Sequence, residues 1–214
     1  MSPREQTETH VPDHDLVARL LALATSLLSD SMDRTGGILG VLPVTRTVRA
    51  GHVRMVGSAL TVHTARGDNL AVHQALEQLE RGQVLVVAAG GHLDRAIVGG
   101  IMCSYAAQRG AAGVVVDGAV RDSVQLAAAA LPVFAAGITH HGPYKNGPGT
   151  VGKPVCAGGT MVHDGDMVVG DADGVVVVPR TRAVEVSQLA QARGADEERI
   201  LDSIRQGTYS SAYA

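Results

Sequence analysis

The sequence predicts a single α/β domain built from mixed layers of helices and strands. Two apolar runs, at 83–89 and 114–116, are rich in β-branched residues and lack polar alternation, which is typical of strands buried on both faces. Segments with helical spacing lie between such runs, and short strand patterns separated by Gly and Asp turns fill 151–179. Because the composition never shifts as it would at a linker, we expect one domain over 13–214 after a flexible arm at 1–12.

The composition favours a globular protein with an aliphatic core. Of 214 residues, 45% are hydrophobic, yet there is no Trp and only one Phe, Phe134. The net charge of −3 gives no electrostatic case for binding nucleic acid. No apolar run approaches the roughly 20 residues that cross a membrane, and the first fifteen residues lack an apolar signal core. We therefore expect a cytoplasmic protein in which Cys103 and Cys156 are reduced, buried thiols.

Helices and strands alternate through the first half of the chain. Apolar residues recur at helical spacing from Asp13, and either Asp13 or Asp15 can cap this helix. The paired glycines at 36–37 close a second helix, and a turn at 67–69 caps a third. The expected helices are 13–23, 25–34 and 70–80, and the expected strands are one or two within 39–65 and another at 83–89.

The second half begins with a loop at 90–94 and a helical pattern over 96–109. The pair Gly99 and Gly100 interrupts this pattern, so the helix proper is expected to begin at Ile101. The glycines either leave backbone amides free to bind an anion or allow close packing of helix on strand. The remaining elements are a helix at 123–130, a strand at 132–136, a polar loop at 140–150, strands at 151–157, 160–162, 166–170 and 174–178, and a long amphipathic helix at 181–206.

The strongest candidate for chemistry is the pair Arg121 and Asp122, which follows the buried strand at 114–116 and precedes a helix. A guanidinium offers a rigid fork of donors suited to a carboxylate, and a carboxylate offers the oxygen that Mg²⁺ or Mn²⁺ prefers. Together they can meet a small anionic substrate and a hard cation. The alternative is that the pair caps the helix or faces water.

Several segments form a recognisable series in their order and spacing: 29–34 (SDSMDR), 67–71 (GDNLA), 90–91 (GG), Gly110 with 113–122 (GVVVDGAVRD), 132–134 (PVF), 165–166 (GD) and 173–175 (DGV). Over about 29–197 this series resembles the RraA-like family. This family includes regulators of ribonuclease activity and class II pyruvate aldolases that act on 4-hydroxy-4-methyl-2-oxoglutarate and related acids. The resemblance implies a swivelling β/β/α layered fold.

The resemblance also implies an assembly and a site. Family members form trimers, sometimes paired into hexamers, with active sites at subunit interfaces. By position, Asp122 would bind Mg²⁺ or Mn²⁺, and Arg121 would hold the 2-oxo acid and steady the enolate oxygen. Backbone amides of Gly99, Gly100, Ile101 and Met102 would hold the substrate carboxylate.

One position departs from the aldolase pattern. The aldolases carry an acidic residue twenty-one positions before the Arg, where this chain has Gly100. Other groups could supply the proton: His92, Asp94, Asp117, or Glu197 from a neighbouring subunit's last helix. Each also has an ordinary interpretation, since Asp94 and Glu197 can be solvated charges and His92 can bond backbone. The pair His140–His141 lacks a spaced third ligand, and Asp30 and Asp33 fit helix-end or packing roles.

These observations favour a divalent-metal-dependent lyase acting on a small 2-oxo acid. Retro-aldol cleavage of a 4-hydroxy-4-methyl-2-oxoglutarate-like acid and decarboxylation of oxaloacetate make the same enolate, so one site could do both. One alternative is a non-catalytic regulator that binds a protein partner, although Asp122 is an aldolase-like feature. Another is a related lyase in a specialised pathway, with Gly100 admitting a larger substrate or changing the proton donor.

Overall fold

Eight strands form one sheet in the computed structural model, which describes residues 13–211. The sheet order is β1-β5-β4-β3-β2-β9-β10, and β6 pairs with β2 beside β9. A separate hairpin joins β7 and β8. The expected flexible arm at 1–12 lies outside the described residues.

The helices and strands alternate as far as β5 and are followed by a run of short strands. The strands are β1 Leu42–Pro43, β2 Met55–Thr64, β3 Gln83–Val98, β4 Gly113–Val120, β5 Val133–Ile138, β6 Gly149–Val151, β7 Val155–Ala157, β8 Thr160–Val162, β9 Met167–Asp171 and β10 Gly174–Val178. The helices are α1 His14–Leu21, α2 Thr25–Asp30, α3 Arg46–Arg49, α4 Leu70–Gln78, α5 Gly100–Gln108, α6 Ser123–Ala128 and α7 Ala183–Arg205, with a 3₁₀ turn at Arg180–Arg182 before α7.

Strands β2, β3, β4 and β5 are mutually parallel and form the centre of the sheet. Their β-branched residues are buried on both faces, as predicted: Val114, Val115 and Val116 are completely inaccessible to solvent. Helices connect these strands, so all four carboxyl ends lie at the same edge of the sheet. That edge carries the candidate site.

The segment that includes β1 draws the two ends of the sheet together. Leu42 in β1 pairs with Ala135 in β5, while Gly37 forms a bridge to Val176 in β10. The Ile38 N–H also donates to the Val175 carbonyl at 2.9 Å. The result is a nearly closed, barrel-like sheet.

Three hydrophobic clusters fill the molecule. The first lies between the sheet and helices α4, α5 and α6. The second fills the interior of the curved sheet, where the β7–β8 hairpin contributes Val155, Ala157 and Val162. The third lies where α1, α2 and α7 pack on β9 and β10. The layered α/β architecture expected from the sequence is confirmed.

Several element boundaries differ from the prediction. Helix α2 stops at Asp30 instead of 34, because Asp33 and Arg34 adopt left-handed conformations with φ of 56° and 63°. The expected loop at 90–94 belongs to β3, whose register with β4 shifts after Ala88, near Gly90 and Gly91 with φ of 65° and 69°.

Other differences concern short elements. Helix α5 begins at Gly100, one residue before the expected start, and the polar helix α3 was not predicted. The strand expected at 151–157 is divided between β6 and β7. Cys103 is buried as expected, whereas the expectation of burial was wrong for Cys156, which is exposed. Among residues 13–211, no helix has the length and apolar character needed to span a bilayer.

The core contains one phenylalanine, and its packing predicts a large cost of truncation. Phe134 is fully buried, and its ring packs so closely on Gly170 that a Cβ there would lie 2.6 Å from Cζ. We expect Phe134→Ala to lower the free energy of unfolding by about 3–5 kcal/mol. Urea unfolding followed by far-UV circular dichroism at fixed protein concentration measures this. Tyr209→Ala, at a half-exposed aromatic residue, is the control and should change it by less than about 0.5 kcal/mol.

Candidate active site

A small cleft of about 110 Å³ opens at the edge where the four parallel strands end. Each strand delivers residues to it in the segment at or just after its carboxyl end, as is common for ligand sites in α/β sheets. Asn69 and His73 follow β2, residues 97–99 and 101–102 belong to the end of β3 and the start of α5, Arg121 and Asp122 follow β4, and Pro143 and Lys145 follow β5.

Asp122 occupies a strained turn between β4 and α6. Its backbone is left-handed, with φ 61° and ψ 39°, a conformation that Asp tolerates better than most residues. This turn directs the carboxylate toward the start of α5, where Oδ2 accepts a hydrogen bond from the Gly100 N–H at 2.9 Å. The side chain is 43% exposed, so the carboxylate remains accessible from the cleft.

The arrangement requires a glycine at position 99 because a side chain there would have no room. A Cβ at Gly99 would lie 2.6 Å from Asp122 Oδ2 and 3.0 Å from Arg121 Cγ. Its φ of −141° is available to any residue, so the absence of a side chain is what the position needs. The side chains of Asp122 and Arg121 therefore occupy the space that a side chain at position 99 would need.

Arg121 lies beside Asp122 and beneath the segment that follows β5. Its N–H donates to the Val98 carbonyl at 3.0 Å, which ties the ends of β3 and β4 together. The guanidinium Nε is 3.8 Å from Asp122 Oδ2, and Nη1 would be 2.9 Å from a Cβ at Gly142. The Arg121 guanidinium thus lies between the Asp122 carboxylate and Gly142.

The first amides of α5 are only partly available for an anion. Gly100, Ile101 and Met102 lack acceptors within the helix because of helix geometry. The Gly100 N–H donates to Asp122, which leaves Ile101 and Met102 as the amides that can face a ligand. The position of Gly100 as a carboxylate-binding amide is therefore not supported by this geometry.

The space beside Gly100 is occupied by Gln125 from α6. A Cβ at Gly100 would lie 2.0 Å from Gln125 Oε1 and 2.4 Å from its Cδ. The place where aldolases of the resembling family carry an acid therefore holds a neutral carboxamide. Gln125 was not identified from the sequence, since nothing in its spacing ties it to Gly100.

Asn69 and His73 are two cleft residues that were not singled out from the sequence as site residues. Asn69 Nδ2 donates to the Ile97 carbonyl at 3.0 Å and approaches Met102 Sδ at 3.2 Å, while its Oδ1 is buried without a hydrogen-bond partner among the described residues. His73 Nε2 is likewise buried and unpartnered among them. Burial, followed by the charge of Lys145, lowers the pKa of His73, so the imidazole is neutral at pH 7. Their spacing of four within a helical pattern was the available signal.

Lys145 reaches the cleft on a segment that Asp68 holds in place. The buried Asp68 carboxylate accepts hydrogen bonds from the backbone N–H groups of Leu70, Asn146 and Gly147, at 2.9, 2.8 and 2.8 Å. Burial raises the pKa of this carboxyl, but the three backbone donors outweigh it and the pKa lies below its ordinary value. Asp68 thus fixes the 145–147 segment against the start of α4.

Three of the predicted side chains, together with Gly100, do not line the cleft. His92, in β3, accepts a hydrogen bond at Nδ1 from Arg66 at 3.3 Å. Asp117 is buried within β4. Glu197 is exposed on α7, a helix that packs on α1 and α2. The structure therefore groups Arg121 and Asp122 with the first amides of α5 and leaves His92, Asp117 and Glu197 outside the cleft.

The other candidates lie at the edges of this region. The Asp94 side chain is 84% exposed, and its backbone carbonyl accepts from His141 Nδ1 at 3.1 Å. His140 and His141 contact each other with ring centroids 4.3 Å apart and do not line the cleft. Cys103 is buried behind it, and burial, together with the charge of Asp122, raises its thiol pKa to about 12. This thiol is therefore not a nucleophile at neutral pH.

The donor set fits a hard cation that keeps most of its water. Within residues 13–211 there is no cluster of three His, Cys, Asp or Glu side chains that could enclose a metal. Zinc, which takes three or four protein ligands, is thus a poor fit. Magnesium is often held by one or two carboxylates and several waters, and Asp122 retains Oδ1 for such a bond.

Comparisons with known proteins agree with this picture at the level of the family. The family model described as "RraA-like: Aldolase/RraA" matches residues 25–177. A protein of Halalkalibacterium halodurans named "Putative 4-hydroxy-4-methyl-2-oxoglutarate aldolase" is 37% identical over 186 residues, which cover 86% of each chain.

Two solved structures are similar to this chain. An uncharacterized protein from Pseudomonas syringae pv. tomato has a TM-score of 0.80 and 29% identity, covering 92% of this chain and 95% of its own. Streptomyces coelicolor RraAS2, titled an unusual member of the RNase ES inhibitor RraA protein family, has a TM-score of 0.77 and 30% identity, covering 87% and 96%. The match thus extends over nearly the whole fold.

The anchoring role of Asp68 predicts a pH-dependent loss of stability. Its pKa is depressed in the folded state, so its contribution is present above the ordinary value of 3.8 and is lost as the pH falls through the folded-state value. We expect Asp68→Asn to lower the free energy of unfolding by about 1–3 kcal/mol at pH 7 and by less near pH 3, which lies below the ordinary value. Urea unfolding at both pH values measures the difference. The exposed Asp173→Asn is the control; an equal loss at both pH values would contradict this account.

The close approach at Gly99 predicts that one added methyl group displaces the side chains of Arg121 and Asp122. We expect Gly99→Ala to fold normally, because its backbone is extended, and to lower turnover by about 100-fold, because Asp122 and Arg121 must move. Gly37→Ala is the matched control, since a Cβ there meets only Leu39 Cδ2 at 3.9 Å. Thermal melting of the two variants checks that they fold, and steady-state kinetics measures the loss of turnover. Full activity in Gly99→Ala would show that the position of the pair is not critical.

Proposed function

The chain belongs to the RraA-like family, and from this membership and the geometry of the cleft we propose that it is a divalent-metal-dependent lyase acting on a small 2-oxo acid. Cleavage of the bond between C3 and C4 moves its electron pair into a C2–C3 double bond and places charge on the C2 oxygen. The product is a pyruvate enolate, which is then protonated at C3. The observation that carries the proposal is the pairing of Arg121 and Asp122 beside the first amides of α5.

Each part of the cleft has a role in this reaction. The amides of Ile101 and Met102, at the positive end of α5, would hold the C1 carboxylate. The Arg121 guanidinium would donate hydrogen bonds to the C2 oxygen and stabilise the charge that develops there. The hydrogen bond from the Arg121 backbone N–H to the Val98 carbonyl holds the base of this side chain, and helix geometry holds the two α5 amides.

Asp122 is the residue proposed to bind the cation, with Mg²⁺ or Mn²⁺ as the candidates. When bound, the metal would act as a Lewis acid toward the C2 carbonyl. Asp122 Oδ1 would bind it, while Oδ2 keeps its hydrogen bond to Gly100 and so holds the carboxylate in one orientation. The same arrangement suits an oxaloacetate-like acid, because loss of CO₂ from C4 leaves the same enolate.

The assembly proposed with this function is a homotrimer or a homohexamer. Glu197 is exposed and distant from the cleft of its own chain, so it would contribute only across a subunit interface. Exposed apolar side chains near the cleft, including Ile101 at 82% and Val124 at 86%, support burial of this face in an assembly.

A second candidate function is regulation of an RNA-processing enzyme by direct binding. The similarity to Streptomyces coelicolor RraAS2 favours it. In that case Arg121 and Asp122 would be dispensable, and a partner would co-purify in fixed stoichiometry with an Asp122 variant. If the chain is a lyase, Asp122 is instead required for turnover.

The first test is release of pyruvate from 4-hydroxy-4-methyl-2-oxoglutarate or oxaloacetate, coupled to lactate dehydrogenase, with Mg²⁺ and then with excess chelator. We expect release with metal and none with chelator. Asp122→Asn, which keeps a similar shape and an acceptor for the Gly100 N–H but lacks the charge, should lower turnover by at least about 100-fold.

Asp94→Asn is the matched control, because Asp94 is 84% exposed and outside the cleft, and it should keep wild-type turnover. Size measurement of both variants would show whether the assembly is intact. Unchanged, chelator-insensitive turnover in Asp122→Asn would rule out the metal role of this residue. Absence of pyruvate from both substrates would rule out the lyase.

A further inference from the structure

We propose that Asn69 and His73 form a subsite for the C4 hydroxyl group of a 4-hydroxy-2-oxo acid, and that His73 Nε2 is the base that removes its proton. This inference rests on the proposed function and deepens it, because it assigns the substrate class and the proton acceptor. The cleft residues carry two buried, unpartnered polar atoms within the described part of the chain, Asn69 Oδ1 and His73 Nε2. Both can accept a hydrogen bond.

The reaction needs a base that the expected position does not provide. A retro-aldol cleavage begins with loss of the C4 hydroxyl proton, whereas a decarboxylation has no such hydroxyl. Gly100 has no side chain, and the space beside it is filled by the Gln125 carboxamide, which takes up no proton at neutral pH. Asp94, Asp117 and Glu197 do not line the cleft of this chain. His73 is the neutral titratable side chain among the described lining residues.

The two contacts of Nδ2 fix the orientation of the Asn69 side-chain amide. Its Nδ2 contacts the Ile97 carbonyl and Met102 Sδ, so Oδ1 faces away from both. Because Asn69 and His73 are separated by four residues at the start of α4, their side chains share one face of the helix. A group lying over this face therefore meets an amide oxygen and an imidazole nitrogen.

His73 is in the protonation state that a base requires. Burial and the charge of Lys145 both lower its pKa, which leaves Nε2 free to accept a proton at neutral pH. The charged groups that line the same cleft are Arg121, Asp122 and Lys145. Lys145 lines the same cleft, and its ammonium can pair with a second carboxylate of the substrate.

The step balances without another reactant. His73 Nε2 takes the proton of the C4 hydroxyl, the O–H pair becomes the C4 carbonyl π bond, and the C3–C4 pair becomes the C2–C3 double bond of the enolate. The imidazolium can then return the proton to C3, which yields pyruvate and a second carbonyl product. His73 ends as it began.

The test compares two substrates in one variant. We expect His73→Gln to lower turnover of 4-hydroxy-4-methyl-2-oxoglutarate by at least about 100-fold. We expect oxaloacetate decarboxylation, corrected for the metal-catalysed background, to stay within about threefold of wild type. Affinity for pyruvate, which has no C4 hydroxyl, should stay within about twofold by calorimetry. His52→Gln, at an exposed histidine, is the control.

A second variant keeps the test valid if His73→Gln folds poorly. His73→Ala should regain hydroxy-acid cleavage when imidazole is added, and thermal melting of both variants checks the fold. Equal losses on both substrates, or no loss on either, would overturn the role of His73. Wild-type protein that decarboxylates oxaloacetate but cleaves no hydroxy acid would overturn this inference and leave the lyase standing. Wild-type protein that releases pyruvate from neither would overturn the proposed function itself.

Discussion

The parallel pairing of β2, β3, β4 and β5 is the constraint on which the site depends. Parallel strands place their carboxyl ends at one edge, and each connection must leave from that edge. Four segments that are distant in sequence are thereby brought to one cleft. The burial that enforces the pairing lies mostly in aliphatic residues outside the cleft, while Ile97, Val98 and Met102 belong both to the core and to the cleft lining.

Within that cleft, the start of α5 and the start of α6 fix each other. The strained backbone of Asp122 costs about 1–3 kcal/mol and directs its carboxylate to the Gly100 N–H, which has no acceptor in its own helix. A glycine at 99 admits that carboxylate, and Arg121 closes the junction through the Val98 carbonyl. The pair is therefore both a structural junction and the proposed centre of the chemistry.

The layered fold and the Arg121–Asp122 pair could be predicted because their signals are local in sequence. Runs of β-branched residues marked the central strands, and a charged pair after a buried strand marked the site. Three features could not be read this way. Gln125 fills the space beside Gly100 because α5 and α6 meet in the fold. Asn69 Oδ1 has no hydrogen-bond partner among residues 13–211, while Nδ2 contacts the Ile97 carbonyl and Met102 Sδ. His92 lies outside the cleft because irregular pairing extends β3 through the glycine turn and leaves the ring beside Arg66.

The way the sheet closes has a consequence for synthesis of the chain on the ribosome. Leu28 and Met32 are buried against Val169 and Val176, and Gly37 pairs with Val176, so the amino-terminal helices find their partners about 140 residues later. At translation rates of about 5–20 residues per second, these apolar surfaces wait on the order of ten seconds for the strands that cover them. The apolar side chains of α2 are thus left uncovered on the nascent chain until β9 and β10 have emerged from the exit tunnel.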